Sequence, residues 1–317
     1  MKPIGGYFEL ELPNISNFPQ KDGIFVNSGR NALELVLNSI RNIQNIYIPY
    51  FTCDVVLEPL EKLNIQYTFY NIDENLELPP NICLNNNEYL LYTNYFGIKD
   101  NYIKKLSQKY GDKLIVDNAQ ALYAEPTANC IYSPRKFVGI PDGGIAYCNK
   151  ENDIASYARD YSADRCEHLL IRHDKEASEG YMAFKGNSAK LKSQTIKQMS
   201  NLTIRLIDSI DFNFIKEKRI NNFNHIHKYL KESNLLDVDN FGKYACPMIY
   251  PYYTDDKTLK QKLISNKIFV ATYWPNVFEW CKFDSLEYNL SEHIIAIPID
   301  QRYGIEDMNR IIKEIML

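Results

Sequence analysis

The sequence predicts an α/β protein in which a mostly parallel sheet is flanked by helices and followed by a smaller α+β C-terminal domain. Between residues 28 and 148, short apolar segments alternate with segments of helical spacing, and this alternation is typical of parallel strands joined by helices. Residues 248–317 mix short strands with helices. The length of 317 residues suffices for two cores of unequal size. We therefore expect a large domain over residues 1–205, and a linking helix with a small domain over residues 206–317.

In the first half of the chain, each predicted element follows from the spacing of its apolar residues. Helical periodicity predicts helices at 31–41, 54–63, 99–110 and 153–164. Short apolar runs predict strands at 46–48, 66–70, 89–93, 114–117 and 144–148. Pro49, Asn94 and Asp117 stand at strand ends, and ligands of such sheets bind beyond the carboxyl ends of the strands. The functional site is therefore expected at that edge.

The second half of the chain has fewer regular patterns. Residues 172–197 are polar and lack clean periodicity, so we expect a loop-rich crossing between the domains that lies over the functional site. An amphipathic helix over residues 211–230 would link the domains. The remaining predicted elements are a strand from Met248, a helix at 258–264, strands at 268–271 and 294–297, and a helix at 306–315.

Composition and charge argue against several classes of protein. With 45% hydrophobic residues, 24% charged residues and a net charge of -4, the chain is neither disordered nor fibrous and gives no electrostatic reason to bind nucleic acid. The sequence contains no apolar run near the ~20 residues of a membrane span, and its N-terminus is unlike a secretory signal. The seven cysteines form no C-x-x-C pair and the five histidines lack ligand spacing. We therefore expect no disulfide framework, no metal site and a cytoplasmic location.

Two segments near the N-terminus have spacing that suits a phosphate-binding turn and a strand end. In residues 27–33 (NSGRNAL), Gly29 permits a tight turn and the amides of Gly29 and Arg30 open a helix. The free N–H groups and positive dipole end of such a helix suit a phosphate. Ser28 is alternatively an ordinary helix N-cap. Residues 46–53 (IYIPYFTC) form a strand and turn that could equally be purely structural.

Two later segments bring together a carboxylate and a lysine. Asp117 ends an apolar strand in residues 114–120 (LIVDNAQ), although an aspartate there is often only a helix cap. Lys136 follows nineteen positions later and precedes the turn at Gly143 and Gly144, whereas a lone lysine is usually a solvated surface charge. Pyridoxal phosphate (PLP) chemistry requires such a pair. The lysine holds the cofactor aldehyde as a Schiff base, and the carboxylate keeps the pyridine nitrogen protonated.

In this order, the four segments resemble the motifs of the DegT/StrS-type nucleotide-sugar aminotransferases, which are PLP enzymes of fold type I. Weaker similarity at Met199-Ser200 and Ile297-Pro298 extends the resemblance over most of the chain. It implies that Lys136 and Asp117 are the catalytic residues and that Gln120 faces the phenolic oxygen of the cofactor. The resemblance also implies phosphate contacts from Ser28, Gly29 and Arg30, and a residue packed on the cofactor ring, for which the candidates are Phe51, Cys53 and Tyr95.

The chain departs from the family's pattern at two phosphate contacts. The family usually has a serine five residues before the lysine, where this chain has Ile131, so Ser133 or Arg135 would replace it. The family also has an asparagine before the Met-Ser pair that reaches the phosphate of the partner subunit. Here that region is Ile196-Lys197-Gln198, so Lys197 or Gln198 would have to substitute. The chain is also shorter than typical members.

The resemblance implies an aminotransferase that moves an amino group from glutamate to a keto-sugar, nucleotide-linked in the family, for surface glycan biosynthesis. Family members are homodimers with active sites at the interface, so a homodimer acting on small molecules is expected, without nucleic acid or membrane partners. A sugar dehydratase or PLP lyase is an alternative, but the dehydratase branch has histidine where Lys136 stands. A degenerate homologue that binds a sugar nucleotide or a partner protein is another. A plain nucleotide-binding protein is disfavoured because no G-x-G-x-x-G follows any predicted strand.

Overall fold

The computed structural model describes residues 4–80, 82–148, 154–239 and 245–317. Its main feature is a seven-stranded sheet in the spatial order β1-β7-β6-β5-β4-β2-β3. The neighbouring strands among β2, β3, β4, β5 and β6 are parallel to one another, whereas β7 is antiparallel to its neighbours β1 and β6. The strands are β1 (Ile24–Val26), β2 (Asn45–Pro49), β3 (Gln66–Tyr70), β4 (Glu88–Thr93), β5 (Leu114–Asn118), β6 (Cys130–Tyr132) and β7 (Gly144–Tyr147).

Helices cover both faces of this sheet. Leu91 and Ile115 belong to one apolar core, which includes helix α1, while Leu90 and Val116 on the same strands belong to a second core. Both faces are therefore buried, which explains why the strand sequences are almost continuously apolar. The helices of this part are α1 (Gly29–Ser39), α2 (Leu57–Lys62), α3 (Asp100–Tyr110), α4 (Glu167–Asp174), α5 (Tyr181–Lys190) and α6 (Asn201–Asp208).

The C-terminal part contains a two-stranded antiparallel sheet of β8 (Ile249–Tyr253) and β9 (Ile294–Pro298). Its helices are α7 (Phe212–Leu230), α8 (Leu259–Ser265), α9 (Val277–Trp280), α10 (Leu286–His293) and α11 (Ile305–Met316). Arg219 of α7 is buried, donates to the carbonyl of Met248 at 2.7 Å and lies over the ring of Phe137 at 4.6 Å. This contact joins the C-terminal part to the chain immediately after Lys136.

The predicted fold class is confirmed, as are most of the predicted elements. Three element predictions are wrong. Residues 154–164 of the predicted helix contain short 3₁₀ turns at Ile154–Ser156 and Ala163–Arg165, and Asp153 lies outside the described residues. The predicted loop over 172–197 includes the end of α4 and all of α5. The predicted strand at 268–271 pairs only through Ala271, with Ala296.

Other elements had not been expected: the three-residue strands β1 and β6, and the helices α4, α6, α9 and α10. The division between residues 205 and 206 stays a prediction. Within the described ranges, the helices include none long and apolar enough to cross a membrane.

Candidate active site

A cavity of about 270 Å³ lies at the carboxyl ends of β4 and β5, between the start of α1 and the turn that contains Lys136. The position agrees with the edge where parallel sheets bind ligands. Most of the predicted site residues line this inner cavity, namely Ser28, Gly29, Arg30, Cys53, Asp117, Gln120, Ser133, Arg135 and Lys136. Segments more than a hundred positions apart in sequence therefore meet at one place.

Asp117 is the buried carboxylate of the cavity, with 7% of its surface exposed. It follows Val116 in β5, and one of its oxygens accepts the amide of Ala119 at 2.8 Å. Burial raises the pKa of Asp117, while the Ala119 amide and the charge of Lys136 partly oppose that rise. A cation placed against this carboxylate would therefore stabilise its ionised form.

Lys136 ends a 3₁₀ turn, Pro134–Lys136, which follows β6 directly. Its side chain is exposed and borders both the inner cavity and a larger one beside it. The positive charge of Lys136 lowers the pKa values of both Asp117 and Cys53 against the stronger effect of burial. The amine thus lies within electrostatic reach of the carboxylate and is accessible to a ligand.

Gln120 contributes an unused hydrogen-bond donor. Its side-chain oxygen accepts the amide of Phe96 at 2.9 Å, which fixes the orientation of the amide group. The side-chain nitrogen is buried and has no hydrogen-bond partner among the described residues. Because a buried unpaired donor is unfavourable, an acceptor atom from a ligand would stabilise this arrangement.

The start of α1 lies close to the turn before Lys136. A Cβ atom added at Gly29 would lie 3.4 Å from Cβ of Ser133. A Cβ at Gly144 would overlap the carbonyl of Ser28, and Gly143 has a φ of +115°, so the Gly-Gly turn allows backbone to pass closely behind α1. The hydroxyl of Ser28 caps α1 by accepting the amide of Asn31 at 3.1 Å.

Arginine side chains supply the positive charge of this end of the cavity. Arg30 is paired with Glu58 at 3.1 Å. Burial, helped by the nearby charges of Arg30 and Arg165 and opposed by Asp142, lowers the pKa of Arg135 to about 10. Arg135 is still protonated at neutral pH, so an anion beside it would offset the cost of burying its positive charge.

An ion network that sequence analysis missed supports the Gly-Gly turn from behind. Arg165 contacts the buried carboxylates of Asp142 and Asp160 at 2.5 and 2.6 Å. Thr203 donates to Asp142 at 2.5 Å, and Lys197 contacts Asp160 at 3.3 Å. These residues are separated by up to 61 positions in sequence, so no local pattern signals the network.

The structure places two of the predicted ring contacts outside the cavity and shows what the two substitute phosphate contacts, Lys197 and Gln198, bind within the chain. Phe51 and Tyr95 are fully buried and stack on each other at 5.5 Å, outside the lining of the cavity. Of the three ring-contact candidates, Cys53 lines the cavity, together with Trp274. Lys197 is engaged within its own chain, because its amine contacts Asp160 and its backbone amide donates to the side chain of Asn27. Gln198 is likewise engaged within its own chain.

The fold is that of the PLP-dependent aminotransferases of fold type I. The sugar aminotransferase CalS13 from Micromonospora echinospora superposes with a TM-score of 0.64 at 13% identity, over 95% of this chain and 88% of that one. NtdA from Bacillus subtilis, with bound cofactor PMP, gives 0.63 at 12% identity, over 92% and 72%.

A DegT/DnrJ/EryC1/StrS aminotransferase from Brucella abortus gives a TM-score of 0.56 at 14% identity, over 92% of this chain and 84% of that one. The resemblance read from the four sequence segments therefore extends to the fold. Searches with family models and against curated proteins gave no match.

Proposed function

We propose that this protein is a PLP-dependent aminotransferase that moves an amino group from an amino acid, with glutamate as the expected donor, to a keto-sugar. The observation that carries the proposal is that the accessible amine of Lys136 and the buried carboxylate of Asp117 border one cavity. The fold shared with NtdA, whose structure contains PMP, and with the sugar aminotransferase CalS13 supports it.

The residues of the inner cavity fit PLP. Asp117 would accept the pyridine N–H, and Gln120 would donate its unused N–H to the phenolic oxygen. The amides of Gly29 and Arg30, with Ser133 and the side chain of Arg135, would hold the phosphate. The contact usually made by a serine at the position of Ile131 would thus be replaced from the turn before Lys136.

When bound, PLP supplies an electron sink that stabilises negative charge on the substrate carbon. Lys136 would hold the cofactor and, as a free amine, would act as the general base and acid that moves a proton at the substrate carbon. Asp117 would stay ionised opposite the pyridine nitrogen, and Trp274 with Cys53 would exclude water from the ring. This role of Lys136 is the reason to prefer amino transfer over sugar dehydration.

The finer parts of the proposal rest on resemblance. We propose that the keto-sugar is nucleotide-linked, that the product serves surface glycan biosynthesis, and that the enzyme works as a cytoplasmic homodimer. We also propose that residues 1–205 form the PLP-binding domain. Sugar aminotransferases among the proteins of similar fold support the choice of acceptor.

The experiment is a two-step transamination with purified protein and PLP. L-glutamate should convert the visible absorption band of the bound cofactor, and a nucleotide-linked keto-sugar should restore it. Lys136→Ala should abolish the conversion, whereas Lys104→Ala, which changes an exposed lysine on α3, should leave it intact. A protein that binds no PLP, or one whose Lys136→Ala variant reacts at the wild-type rate, would refute the proposal.

A further inference from the structure

The first residues that the structure describes, 4–11, form an extended segment that is exposed along its whole length and is here called the arm. Tyr7 and Phe8 have 100% and 93% of their surface exposed, and Ile4 and Leu10 are exposed as well. Contiguous large apolar side chains are unfavourable in water and usually mark an interaction site. Their exposure indicates that the arm packs against another surface.

The root of the arm is fixed to the body of the chain, whereas the arm itself is free. The amides of Ile15 and Ser16 both donate to the carbonyl of Asp208, at 2.7 and 3.1 Å. Arg205 donates to the carbonyl of Leu12 at 3.3 Å. The arm makes no hydrogen bond to the rest of the described chain. Eight extended residues span up to roughly 26 Å, so the arm can reach a neighbouring molecule.

The sequence of the arm has the alternation of a strand. Phe8 and Leu10 alternate with Glu9 and Glu11, so in an extended segment the apolar side chains lie on one face and the carboxylates on the other. No lysine or arginine occurs between residues 4 and 12, and the arm is therefore both apolar and anionic. A complementary surface would combine exposed apolar side chains with positive charge.

Helix α5 presents a surface with both properties. Tyr181 and Met182 are exposed in its first turn, and Gly186 and Ala189 follow Met182 at helical spacing on the same exposed face. A Cβ atom added at Gly186 would have open space around it. The segment 181–192 contains no carboxylate, and its cations are Lys185, Lys190 and Lys192. This face of α5 is therefore apolar and cationic, and it complements the arm in both respects.

The charges around α5 leave its lysines available to a partner. Glu179, just before the helix, is paired with Lys175 at 3.2 Å. Lys185 has no carboxylate partner among the residues that the structure describes. Lys190 contacts Asp164 at 3.4 Å, but exposed pairs of this kind contribute little to stability. Lysine side chains are long enough to extend past packed apolar groups to carboxylates at the rim of a contact.

We propose that the arm of one copy of this chain packs on the exposed face of α5 in a second copy. The apolar side chains of the arm cover Tyr181 and Met182, while its two carboxylates lie beside Lys185 and Lys190. Because arm and helix belong to the same chain, a two-fold pair of molecules buries both surfaces twice. The choice of a second copy as the occupant rests on the proposed function, which includes a homodimer, but nothing here depends on amino transfer.

The test is a charge swap, with the dimer dissociation constant measured by analytical ultracentrifugation. Glu9→Lys with Glu11→Lys should weaken the dimer about 10- to 100-fold, because lysines would then face lysines. Lys185→Glu with Lys190→Glu should weaken it to a similar extent. The chain that carries all four substitutions should regain most of the wild-type affinity, because opposite charges meet again.

The matched control is Lys104→Glu with Lys109→Glu on α3, two exposed lysines with the same spacing as Lys185 and Lys190. Lys104 contacts an exposed carboxylate at 3.7 Å, as Lys190 does. Lys109 lies over a tyrosine ring at 4.8 Å, as Lys185 does at 5.0 Å. This control should leave the dimer dissociation constant unchanged.

The apolar half of the contact is tested by Phe8→Ser with Leu10→Ser, which should also weaken the dimer by about 10-fold or more. A protein that stays monomeric at every concentration would overturn the proposal and the homodimer together. A dimer that tolerates the charge reversals, or that the four substitutions combined do not restore, would overturn the arm contact alone. If the dimer depends on the arm but no amino group is ever transferred, the proposed function fails while this contact stands.

Discussion

Replacing Arg135 by alanine should preserve or raise the stability of the cofactor-free protein but weaken its binding of PLP. Burial lowers the pKa of Arg135 from 12.5 to about 10. Arginine is protonated at neutral pH in both the folded and the unfolded chain, so the unfavourable contribution is fully present there and fades only above the folded pKa. A lowering of this size corresponds to roughly 3 kcal/mol as an upper limit. Partial exposure of the side chain reduces it to roughly 1–2 kcal/mol.

A phosphate beside Arg135 would make the contribution of its charge to stability favourable, since charge-assisted hydrogen bonds contribute about 1.5–3 kcal/mol. We therefore expect Arg135→Ala to be no less stable than wild type without cofactor, yet to bind PLP about 10- to 100-fold more weakly. Thermal unfolding with and without PLP, together with PLP titration, measures both effects.

Arg41→Ala is the control for this experiment, because Arg41 is exposed and lies outside the lining of the cavity. Its removal should change PLP affinity by less than about threefold, because an exposed charge far from the ligand contributes little. The reasoning is refuted if Arg135→Ala lowers the melting temperature of the cofactor-free protein and leaves PLP affinity unchanged.

Two further predictions follow from the buried charges. Burial raises the pKa of Asp117, so its ionised carboxylate is unfavourable at neutral pH in the cofactor-free protein. Asp117→Asn should therefore be at least as stable as wild type without cofactor. Its kcat should fall about 10- to 100-fold, because the pyridine nitrogen loses its charged partner. Stability melts and initial rates check this, and an undiminished kcat would exclude Asp117 from the reaction. Arg165→Met should destabilise the protein by about 3–5 kcal/mol by leaving Asp142 and Asp160 without their shared cation. Denaturant unfolding measures this change, and a decrease in the free energy of unfolding below about 1 kcal/mol would show that the network is not needed for stability. The control is Arg41→Met, at an exposed arginine.

The central strands of the sheet could be predicted because they are buried on both faces. The strands β2, β4 and β5 carry continuous apolar runs, which the sequence displays directly. By contrast, β1 and β6 have three residues each, too few to show a period of two. The α4–α5 hairpin was read as a loop because apolar residues such as Leu170 and Met182 face outward, which removes the helical stripe.

Some site residues could likewise be predicted from local sequence motifs, whereas others depend on how distant segments pack. Asp117, Gln120 and Lys136 could be identified because each belongs to a local motif with characteristic spacing. The ring contact could not be chosen from sequence, because the turn after Pro49 decides that Cys53 faces the cavity while Phe51 packs against Tyr95. Arg165 could not be found either, since its pairing with Asp142 depends on how two distant loops pack.

The most direct measurement of the central claim is to reduce the PLP-loaded protein with borohydride and map the modified peptide. The account predicts a single stable adduct on Lys136, and none in Lys136→Ala. An adduct on another lysine would contradict the assignment of the site, and a protein that forms no reducible adduct with PLP would contradict the account as a whole.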